Sequence, residues 1–375
     1  MPQQDQLDHQ YIRRALELAA QGTALVSPNP LVGAVVVKDG RIIGEGCHTY
    51  AEKKHAEVKA LEQAGDAASG ATLYVNLEPC CHNGRTGPCV ETILAAGIQR
   101  VVTAMPDPNP LVSGGGFELL RQRGVAVETG LCREQAEQLN ESFARYIRSG
   151  IPFVTLKAAM TLDGKIAAPD DNGGWVTSDE ARANVQRQRH ASDAILTGVG
   201  TVIADDPLLT DRCGLPRRRP LLRVIMDSRL RIPLTSKILK EVHEDLLIFC
   251  SSQADLAKRR ELEQSGAHLC ALESEGHPDQ RQALKELGRR QMTSVLLEAG
   301  AELNWAALEA GVVDKVFLYY APKLLGGLDA LPLAGGQGIR AMRDALPVKN
   351  IQVHHFGLDF AVEGYLHDVY SEPLP

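Results

Sequence analysis

The chain has 375 residues, of which 44% are hydrophobic and 23% are charged, with a net charge of −7 and a pI of about 5.9. This composition is typical of an ordinary globular protein, the length predicts two hydrophobic cores, and the basic surface of nucleic-acid-binding proteins is missing. The first 22 residues lack the pattern of a secretory signal, and the chain has no apolar run of membrane-spanning length, so we predict a cytoplasmic protein. Eight cysteines without paired spacing favour reduced thiols or a metal site over a disulfide framework.

Helical and extended patterns alternate along the first 150 residues. A helix is predicted over 9–21, where Ile12 and Ala15 fall at helical spacing, and a hairpin is predicted over 32–46, with Asp39 and Gly40 in its turn. The elements that follow in chain order are a helix at 55–65, a strand at 71–79, a helix at 88–97, a strand at 100–105, a helix ending at 124, a strand at 125–129 and a helix at 133–150. This alternation predicts a mixed or parallel sheet with helices on both faces.

The pattern restarts after Gly150 and Pro152, so we predict two domains, residues 1–148 and 149–375. The second domain repeats the alternation, with strands at 152–160, 193–198, 221–227, 246–250, 293–300 and 314–322 and helices at 201–206, 282–290 and 302–311. The run of three arginines at 217–219 is predicted to be a solvated loop.

A His-Ala-Glu triplet and two later cysteines have the spacing of a catalytic zinc site. His55 and Glu57 open a predicted helix, Cys80 comes 23 residues after Glu57, and Cys89 follows nine residues later. This pattern resembles the H-x-E…P-C signature of zinc deaminases, in which one His and two Cys bind Zn²⁺ and a non-ligating Glu acts on the metal-bound water. Three such ligands leave a fourth tetrahedral position open, and zinc lowers the pKa of water bound there towards neutrality. We therefore predict that Glu57 carries a proton from that water to a ring nitrogen and the leaving amine.

The local pattern around the cysteines separates ligands from neighbours. Pro88 suits the first turn of a helix, which puts the Cys89 thiolate near the positive end of the helix dipole. Cys80 follows a strand directly, and the side chains of adjacent residues in extended chain point in opposite directions. We therefore predict that Cys81 does not contact the metal that Cys80 binds.

The residues alone also allow two other interpretations, a closed structural zinc site and a cytidine or nucleic-acid deaminase, and each has a feature that counts against it. Three cysteines and a histidine can form a closed structural zinc site, although a short C-x-x-C pair is expected there and Glu57 would have no role. The nine-residue spacing between Cys80 and Cys89 also separates the chain from the cytidine and nucleic-acid deaminases, whose second motif is P-C-x-x-C.

Longer segments resemble a bacterial family, the bifunctional deaminase/reductases of riboflavin biosynthesis. The resemblance covers nearly the whole chain. In the first domain it is carried by SPNPLVGAVV (27–36), HAE (55–57), EPCCHNGRTGPC (78–89) and DPNPLVSGGG (107–116). In the second it is carried by LKAAMTLDGKIA (156–167), WVTS (175–178), ILTGVGTVIADDPLLTDR (195–212), VIMDS (224–228) and LLEAG (296–300).

The resemblance implies an α/β chain with an N-terminal cytidine-deaminase-like three-layer domain and a C-terminal dihydrofolate-reductase-like domain. The implied activities are zinc-dependent hydrolytic deamination of a diaminopyrimidinone ribosylamino 5′-phosphate and then NADPH-dependent reduction of its ribosyl group to ribityl. Zn²⁺ and NADPH are the implied cofactors. The implied partner is the small phosphorylated pyrimidine, without nucleic acid or membrane, and a homo-oligomer is expected.

In the deaminase half, the resemblance implies that His55, Cys80 and Cys89 bind zinc and that Glu57 is the proton shuttle. It also implies that three loop residues hold the pyrimidine or the ribose phosphate, namely Asn29, Asp107 and Asn109. Such residues also form turns through their own backbone hydrogen bonds, so a structural role stays open for each.

In the reductase half, the resemblance implies an NADP site lined by Ala159, Trp175, Thr201, Asp205, Ser228 and Gly300. The residues implied to face the substrate are Lys157, Gly173, Arg189, Leu209, Arg212 and Glu298. A strand that runs into Gly-Val-Gly-Thr and a helix can cradle phosphate on backbone N–H groups, although it is not the Rossmann fingerprint. Guanidinium groups suit a phosphate dianion, but surface charge is the ordinary role of an arginine. Trp175 can equally fill a core, and Glu298 can cap the helix that begins near Ala301.

Three positions depart from the family's pattern. Gly115 stands where a basic residue is common, Arg85 stands where lysine is frequent, and Gly173 stands where some relatives have a hydroxyl. Within the nine-residue spacing, His82, Asn83 and Arg85 are candidates for contact with the substrate. The competing functions are a nucleoside or nucleic-acid deaminase with an accessory domain and a zinc-stabilised binding protein without catalysis.

Overall fold

The computed structural model describes residues 3–82, 87–110, 112–170, 174–273 and 279–370. The chain divides into two compact units, one formed by Met1–Ser149 with Pro216–Arg219 and the other by Gly150–Leu215 with Pro220–Pro375. Within the described ranges, no helix combines the length and the apolar character that crossing a membrane requires.

The first unit contains five helices and five strands among its described residues, in the order that the sequence predicts. These are α1 Gln3–Ala20, β1 Gly33–Lys38, β2 Arg41–Cys47, α2 Ala56–Ala64, β3 Thr72–Leu77, α3 Cys89–Ala95, β4 Arg100–Met105, α4 Gly115–Gln122, β5 Ala126–Thr129 and α5 Arg133–Ser149. The apolar stripe predicted on α1 is buried, because Ile12, Ala15 and Ala19 are fully inaccessible to solvent. Asp39 and Gly40 join β1 to β2 with φ of 49° and 72°, the left-handed conformation that a tight hairpin turn requires.

The strands of this unit form one mixed sheet in the order β2-β1-β3-β4-β5. Strand β1 is antiparallel to β2 and β3, whereas β3, β4 and β5 run parallel. The carboxyl ends of β3 and β4 therefore meet at one edge, where the N–H of Glu78 donates to the carbonyl of Met105 at 3.1 Å. This edge brings together the residues before Cys80 and the loop that begins at Asp107.

Two glycines bring helix α2 close to the sheet. A Cβ added to Gly46 would lie 2.1 Å from the carbonyl oxygen of Ala56, and one added to Gly44 would lie 2.0 Å from that of Ala60. The helix backbone thus packs directly on β2. Because α2 begins next to His55, this packing sets the position of the histidine and of Glu57.

The second unit contains six helices and eleven strands among its described residues. These are β6 Phe153–Thr161, β7 Lys165–Ala167, α6 Asp179–Ala191, β8 Ala194–Gly198, α7 Val199–Asp205, β9 Leu222–Met226, α8 Lys237–Lys240, β10 Leu246–Ser251, α9 Leu256–Gln264, β11 His268–Leu272, α10 Gln280–Arg289, β12 Ser294–Leu297, α11 Ala301–Glu309, β13 Lys315–Ala321, β14 Leu331–Pro332, β15 Lys349–Phe356 and β16 Asp359–Tyr365. The predicted strands and helices are present, and the elements that the sequence did not predict are β7, α6, α8, α9, β11, β14 and the C-terminal hairpin β15–β16.

Nine of these strands form a sheet in the order β11-β10-β9-β8-β12-β6-β13-β16-β15. The first seven strands in this order, from β11 at the edge to β13, run parallel to one another. Strands β16 and β15 add an antiparallel hairpin next to β13. Strand β12 lies between β6 and β8, so the carboxyl ends of three parallel strands meet at the centre of the sheet. In open α/β sheets, this edge is where ligands bind.

The arginine run at 217–219 is not a solvated loop, and that prediction was wrong. Arg217, Arg218 and Arg219 are each half-buried. Although the predicted division put them in the second domain, Pro216–Arg219 belongs to the first compact unit. Within that unit, the Arg218 guanidinium lies over the ring of Tyr50, 3.5 Å from its centroid, because an arginine can stack on an aromatic face.

Candidate active site

Three side chains of the first unit converge as a candidate metal centre. His55 is the N-cap residue of α2, Cys89 is the first residue of α3, and Cys80 follows β3. Their ligand atoms all lie within 4.8 Å of one another, with His55 Nδ1 at 3.1 Å from Cys89 Sγ and 3.5 Å from Cys80 Sγ. Helix α3 begins one residue later than predicted, since Pro88 is its N-cap.

This donor set fits zinc in both its chemistry and its dimensions. Tetrahedral zinc with bonds of about 2.0–2.1 Å to nitrogen and about 2.3 Å to sulfur holds neighbouring ligand atoms roughly 3.5 Å apart. The distances around His55 Nδ1 are close to that value. One imidazole and two thiolates leave one tetrahedral position for a water or a substrate, which is the arrangement of a catalytic zinc site.

The Cys80 and Cys89 thiols interact with each other and shift each other's pKa in opposite directions. Hydrogen bonding from Cys89 lowers the pKa of the Cys80 thiol to about 4, with a further contribution from His55. The pKa of Cys89 is correspondingly raised. The Cys80 sulfur also accepts from the backbone N–H of Cys89 at 3.3 Å, the first N–H of α3. A thiolate is thus held at the start of a helix, ready to bind a cation.

Glu57 lies beside the cluster in the first turn of α2 and is 4% exposed. Burial raises the pKa of its carboxyl, with a smaller contribution in the same direction from Cys80. A carboxylate with a raised pKa accepts a proton more readily than an ordinary one, as a general base requires. A closed structural site made of three cysteines and His55 would give this buried acid no task.

Cys81 lies outside this cluster. A Cβ added to Gly115 would come within 3.1 Å of Cys81 Sγ, so this thiol faces the start of α4. Gly115 is therefore a position with little room for a side chain unless Cys81 moves.

The histidine at position 48, which the sequence analysis missed, connects Asn29 to the metal centre. The Asn29 Nδ2 lies 3.0 Å from His48 Nε2, and the His48 and His55 rings meet edge to face at 5.4 Å. Burial lowers the pKa of His48, and its Nδ1 lies 2.8 Å from the Lys54 carbonyl. We infer from these partners that Nδ1 carries the proton and that Nε2 accepts from the amide. An isolated histidine has no sequence signal that would reveal this role.

Asp107 and Asn109 lie at the end of β4, next to the strand that leads to Cys80. The Asp107 carboxylate accepts from the backbone N–H of Asn109 at 2.8 Å, which is the turn-forming bond that the sequence left open. Burial raises the pKa of Asp107 to about 6, and the charge of Glu78 adds to this effect. His82 is exposed, whereas Asn83 and Arg85 lie outside the described residues.

In the second unit, the predicted cofactor residues lie around the ends of β8 and β12. Gly198 and Gly300 are the N-cap residues of α7 and α11. A Cβ on Gly300 would lie 4.0 Å from Thr201 Oγ1, so these two predicted residues are adjacent. Two helix starts thus present backbone N–H groups at one edge of the sheet, which suits a pyrophosphate.

The other predicted cofactor residues lie further apart along this unit. Ser228 follows β9, Ala159 lies on β6 and is half-buried, and Asp205 ends α7 and is exposed. Trp175 does not fill a core, because it is 67% exposed, with the Arg182 guanidinium 4.6 Å from the centre of its ring system.

A buried charge cluster joins β6, α6 and the end of β12. Glu298 accepts from Arg189 Nε at 2.7 Å, from Arg189 Nη2 at 3.0 Å and from Lys157 Nζ at 3.3 Å. The two cations lower the pKa of the Glu298 carboxyl to about 2, although burial by itself would raise it. Glu298 is therefore not a cap of α11, whose N-cap is Gly300. Arg189 Nη1 also donates to the Thr210 carbonyl at 3.1 Å.

The remaining predicted substrate residues lie in the segment after α7. Leu209 is 4% exposed and has a φ of 54°, an uncommon conformation for a leucine. Arg212 is exposed, and its N–H donates to Gln186 Oε1 at 2.9 Å. Gly173 lies outside the described residues.

Two family models match the chain, one within each of its two halves. Residues 5–105 match the model of the cytidine and deoxycytidylate deaminase zinc-binding region, and residues 152–362 match the model of the RibD C-terminal domain. The first match contains the zinc cluster and Glu57, and the second contains the charge cluster around Glu298.

Several relatives resemble the chain over nearly its full length. The riboflavin biosynthesis protein RibD of Escherichia coli K12 is 42% identical over 363 residues, covering 94% of this chain and 97% of that protein. The corresponding protein of Actinobacillus pleuropneumoniae is 41% identical over 357 residues, covering 95% and 94%.

Solved structures of RibD proteins also resemble the chain over nearly its full length. RibD of Acinetobacter baumannii superposes with a TM-score of 0.85 at 38% identity, covering 96% of this chain and 99% of that one. A Thermotoga maritima diaminohydroxyphosphoribosylaminopyrimidine deaminase/5-amino-6-(5-phosphoribosylamino)uracil reductase superposes with a TM-score of 0.83 at 36% identity, covering 96% and 99%. The predicted α/β fold, a cytidine-deaminase-like domain followed by a dihydrofolate-reductase-like domain, is confirmed. The chain belongs to the RibD family of bifunctional deaminase/reductases in riboflavin biosynthesis.

Proposed function

We propose that this chain deaminates 2,5-diamino-6-ribosylamino-4(3H)-pyrimidinone 5′-phosphate and then reduces the ribosyl group to give 5-amino-6-(5-phosphoribitylamino)uracil. We assign the first step to residues 1–148, with Zn²⁺, and the second to residues 149–375, with NADPH. The observation that carries the proposal is the convergence of His55, Cys80 and Cys89 beside the buried carboxyl of Glu57.

For the first step, His55, Cys80 and Cys89 are the zinc ligands in our proposal. When bound, zinc would lower the pKa of a coordinated water and so make a nucleophile available at neutral pH. Glu57 takes up one proton at a carboxylate oxygen and passes it to the ring nitrogen. It then takes up a second proton, from the hydroxyl group added to the ring carbon, and passes it to the departing amine. The raised pKa of this carboxyl supports the role, since a general acid/base works best with a pKa near the operating pH.

Three polar residues hold the pyrimidine or its ribose phosphate in this proposal, namely Asn29, Asp107 and Asn109. The bond between the Asn29 amide and His48 supports it, because it keeps one side chain of the 27–29 loop next to the metal centre. Asp107 provides similar support, because it is buried and its backbone N–H donates to Glu78 Oε2 at 3.1 Å, which keeps it next to the segment that leads to Cys80.

For the second step, we propose that the NADPH site is lined by Ala159, Trp175, Thr201, Asp205, Ser228 and Gly300. NADPH would supply the hydride, and a proton completes the reduction. The helix starts at Gly198 and Gly300 support a pyrophosphate there, since both present backbone N–H groups.

We propose that Lys157, Gly173, Arg189, Leu209, Arg212 and Glu298 face the substrate of the reductase step. Lys157 Nζ is a candidate proton donor to the opening ribose ring, because Glu298 holds this ammonium group inside the unit. Arg189 is bonded to the same carboxylate through two nitrogens, so the exposed Arg212 is the better candidate for the phosphate.

The test is incubation of the purified, zinc-loaded protein with the diaminopyrimidinone phosphate, with and without NADPH, followed by mass analysis of the products. We expect exchange of one amine for oxygen in both samples and the further gain of two hydrogen atoms only with NADPH. Deamination of cytidine or tRNA without action on this substrate would instead support a nucleoside or nucleic-acid deaminase.

A Glu57→Gln variant separates catalysis from zinc-dependent folding. We expect deamination to fall by about 10²–10⁴-fold with zinc retained, because the proton carrier is lost while the ligands stay in place. Reduction of the deaminated intermediate serves as the internal control and is expected to be unchanged. Full deamination by this variant would show that Glu57 is not the proton carrier, whereas a wild-type protein that binds zinc without any deamination would favour a zinc-stabilised binding protein.

We also propose a cytoplasmic homo-oligomer. All eight cysteines lie in the described residues and none forms a disulfide, which supports a reducing compartment. The outermost strand of the large sheet, β15, exposes Ile351 and Val353, which supports contact with a second copy. Sedimentation of the wild-type protein and of an Ile351→Glu variant tests this, since a monomeric wild-type protein would contradict it.

A further inference from the structure

Two arginines that come late in the sequence bind a loop that comes early. Within the first unit, the N–H of Arg218 donates to the Ala24 carbonyl at 2.9 Å, and its guanidinium donates to the Ser27 carbonyl while it stacks on Tyr50 at 3.5 Å. Arg219 Nη2 donates to Ser27 Oγ at 3.0 Å. The Ser27 residue is thus held through both its backbone and its side chain.

The loop held in this way leads to the metal centre. Asn29 is two residues beyond Ser27, its N–H bonds to the Val26 carbonyl at 3.0 Å, and its amide lies 3.0 Å from His48 Nε2. His48 in turn packs edge to face on the zinc ligand His55. A series of contacts therefore leads from the arginines through the Ser27–Asn29 loop and His48 to His55.

We propose that Arg218 and Arg219 are positioning residues of the deaminase reaction. They hold the Ser27–Asn29 loop so that the Asn29 amide faces the pyrimidine at the metal centre. This inference rests on the deaminase function proposed above. It gives the arginine run a role in the first reaction, although the run lies between reductase motifs in the sequence.

The chemistry of the contacts explains why arginine suits these positions. A guanidinium is planar, so one group can stack on the Tyr50 ring and also donate in its own plane to the Ser27 carbonyl. Hydrogen bonds from a charged donor are stronger than those between neutral groups. Lysine can keep the charge and one hydrogen bond at position 218 but cannot reproduce both contacts.

The experiment uses the full-length, zinc-loaded protein and steady-state deamination of the pyrimidine phosphate. We expect Arg218→Ala to raise the KM about tenfold, with kcat within about twofold of wild type, since the metal centre and Glu57 are not altered. Zinc content and NADPH-dependent reduction are expected to be unchanged. Arg218→Lys is expected to recover part of the loss, and Arg123→Ala, at an exposed arginine of the same unit, serves as the matched control.

A double-mutant cycle distinguishes positioning from general support of the fold. If Arg218 acts through Asn29, the double variant with Asn29→Ala is expected to be no worse than Asn29→Ala alone. Additive losses, an unchanged KM in Arg218→Ala, or loss of zinc and of reductase activity together would each overturn the inference. A wild-type protein without deaminase activity would refute the proposed function instead, so the two failures are distinguishable.

Discussion

The carboxylate of Glu78 accepts a hydrogen bond from the backbone N–H of Gly116 at 2.9 Å. The same buried carboxylate accepts from the N–H groups of Asp107, Gly114 and Phe117 at 3.1, 2.9 and 3.3 Å. A Cβ on Gly116 would lie 2.1 Å from the Pro79 carbonyl, so only glycine permits this approach. The loop that contains Asp107 is therefore bound, through the Glu78 side chain, to the segment that contains Cys80.

Replacing this carboxylate by an amide is expected to weaken deamination. In Glu78→Gln, one acceptor oxygen becomes an NH₂ group that faces backbone N–H donors, and each such loss at a charged acceptor costs about 1.5–3 kcal/mol. We expect kcat/KM for the pyrimidine phosphate to fall at least tenfold, while reduction of the deaminated intermediate is unchanged. Steady-state assays of both steps test this.

Glu118→Gln is the matched control for that experiment. Glu118 lies on α4, the helix whose first N–H groups bond to Glu78, but its side chain is exposed and accepts from Gln122 Nε2 at 3.1 Å. An equal loss of deamination in both variants would contradict a special role for Glu78.

The three cysteines of the 80–89 segment are expected to respond differently to serine. Cys80→Ser and Cys89→Ser remove thiolate ligands, so both zinc and deamination should be lost. Cys81→Ser should retain both, because this thiol faces Gly115 and lies outside the metal cluster. Metal analysis of the three purified variants checks the prediction, and zinc loss from Cys81→Ser would contradict it.

The buried carboxylate of the reductase unit predicts a pH-dependent contribution to stability. Its pKa is about 2 in the folded chain, below the ordinary value near 4.5, so ionised Glu298 stabilises the fold fully above about pH 5. This contribution is lost as the pH falls from about 4.5 towards 2. Glu298→Gln is therefore expected to lower the free energy of unfolding by about 3 kcal/mol at pH 7 and by less at pH 3.5.

Tryptophan fluorescence can follow this unfolding selectively. Both tryptophans, Trp175 and Trp305, belong to the second unit, so urea titrations at pH 7, 5 and 3.5 report on that unit. If the difference in the free energy of unfolding between wild type and Glu298→Gln did not change with pH, the charge of Glu298 would not be the cause of the destabilisation.

The contact between α2 and β2 predicts a site-specific effect of one methyl group. In Gly46→Ala the new Cβ would meet the Ala56 carbonyl at 2.1 Å, so the start of α2 must shift. We expect destabilisation by about 1–3 kcal/mol and weaker zinc retention, because His55 precedes this helix. Gly87→Ala, where the Cβ meets open space, is the control. Zinc content and heat inactivation of deaminase activity measure the effect, and equal behaviour of the two variants would contradict it.

Much of this molecule was determined by local sequence patterns. Helical spacing predicted α1, the Asp39-Gly40 pair predicted the hairpin, and the spacing from His55 to Cys89 predicted a zinc site. These features depend on residues that are close in the chain or on motifs with fixed chemistry. For that reason the alternation of strands and helices and the fold class could be predicted from the residues and their family resemblance, and so could the group of three side chains that converges at His55.

Tertiary structure alone decided which distant groups meet. Four pairs of contacts depend on how helices and strands pack against one another. They are His48 with Asn29, Glu78 with the 107–117 loop, Arg189 with Glu298 and Arg218 with Ser27. An isolated charged residue is most often a surface residue, so the sequence predicted a solvated loop at 217–219. Burial and hydrogen bonding give such a side chain its role, and these arise only when separate parts of the chain fold against one another.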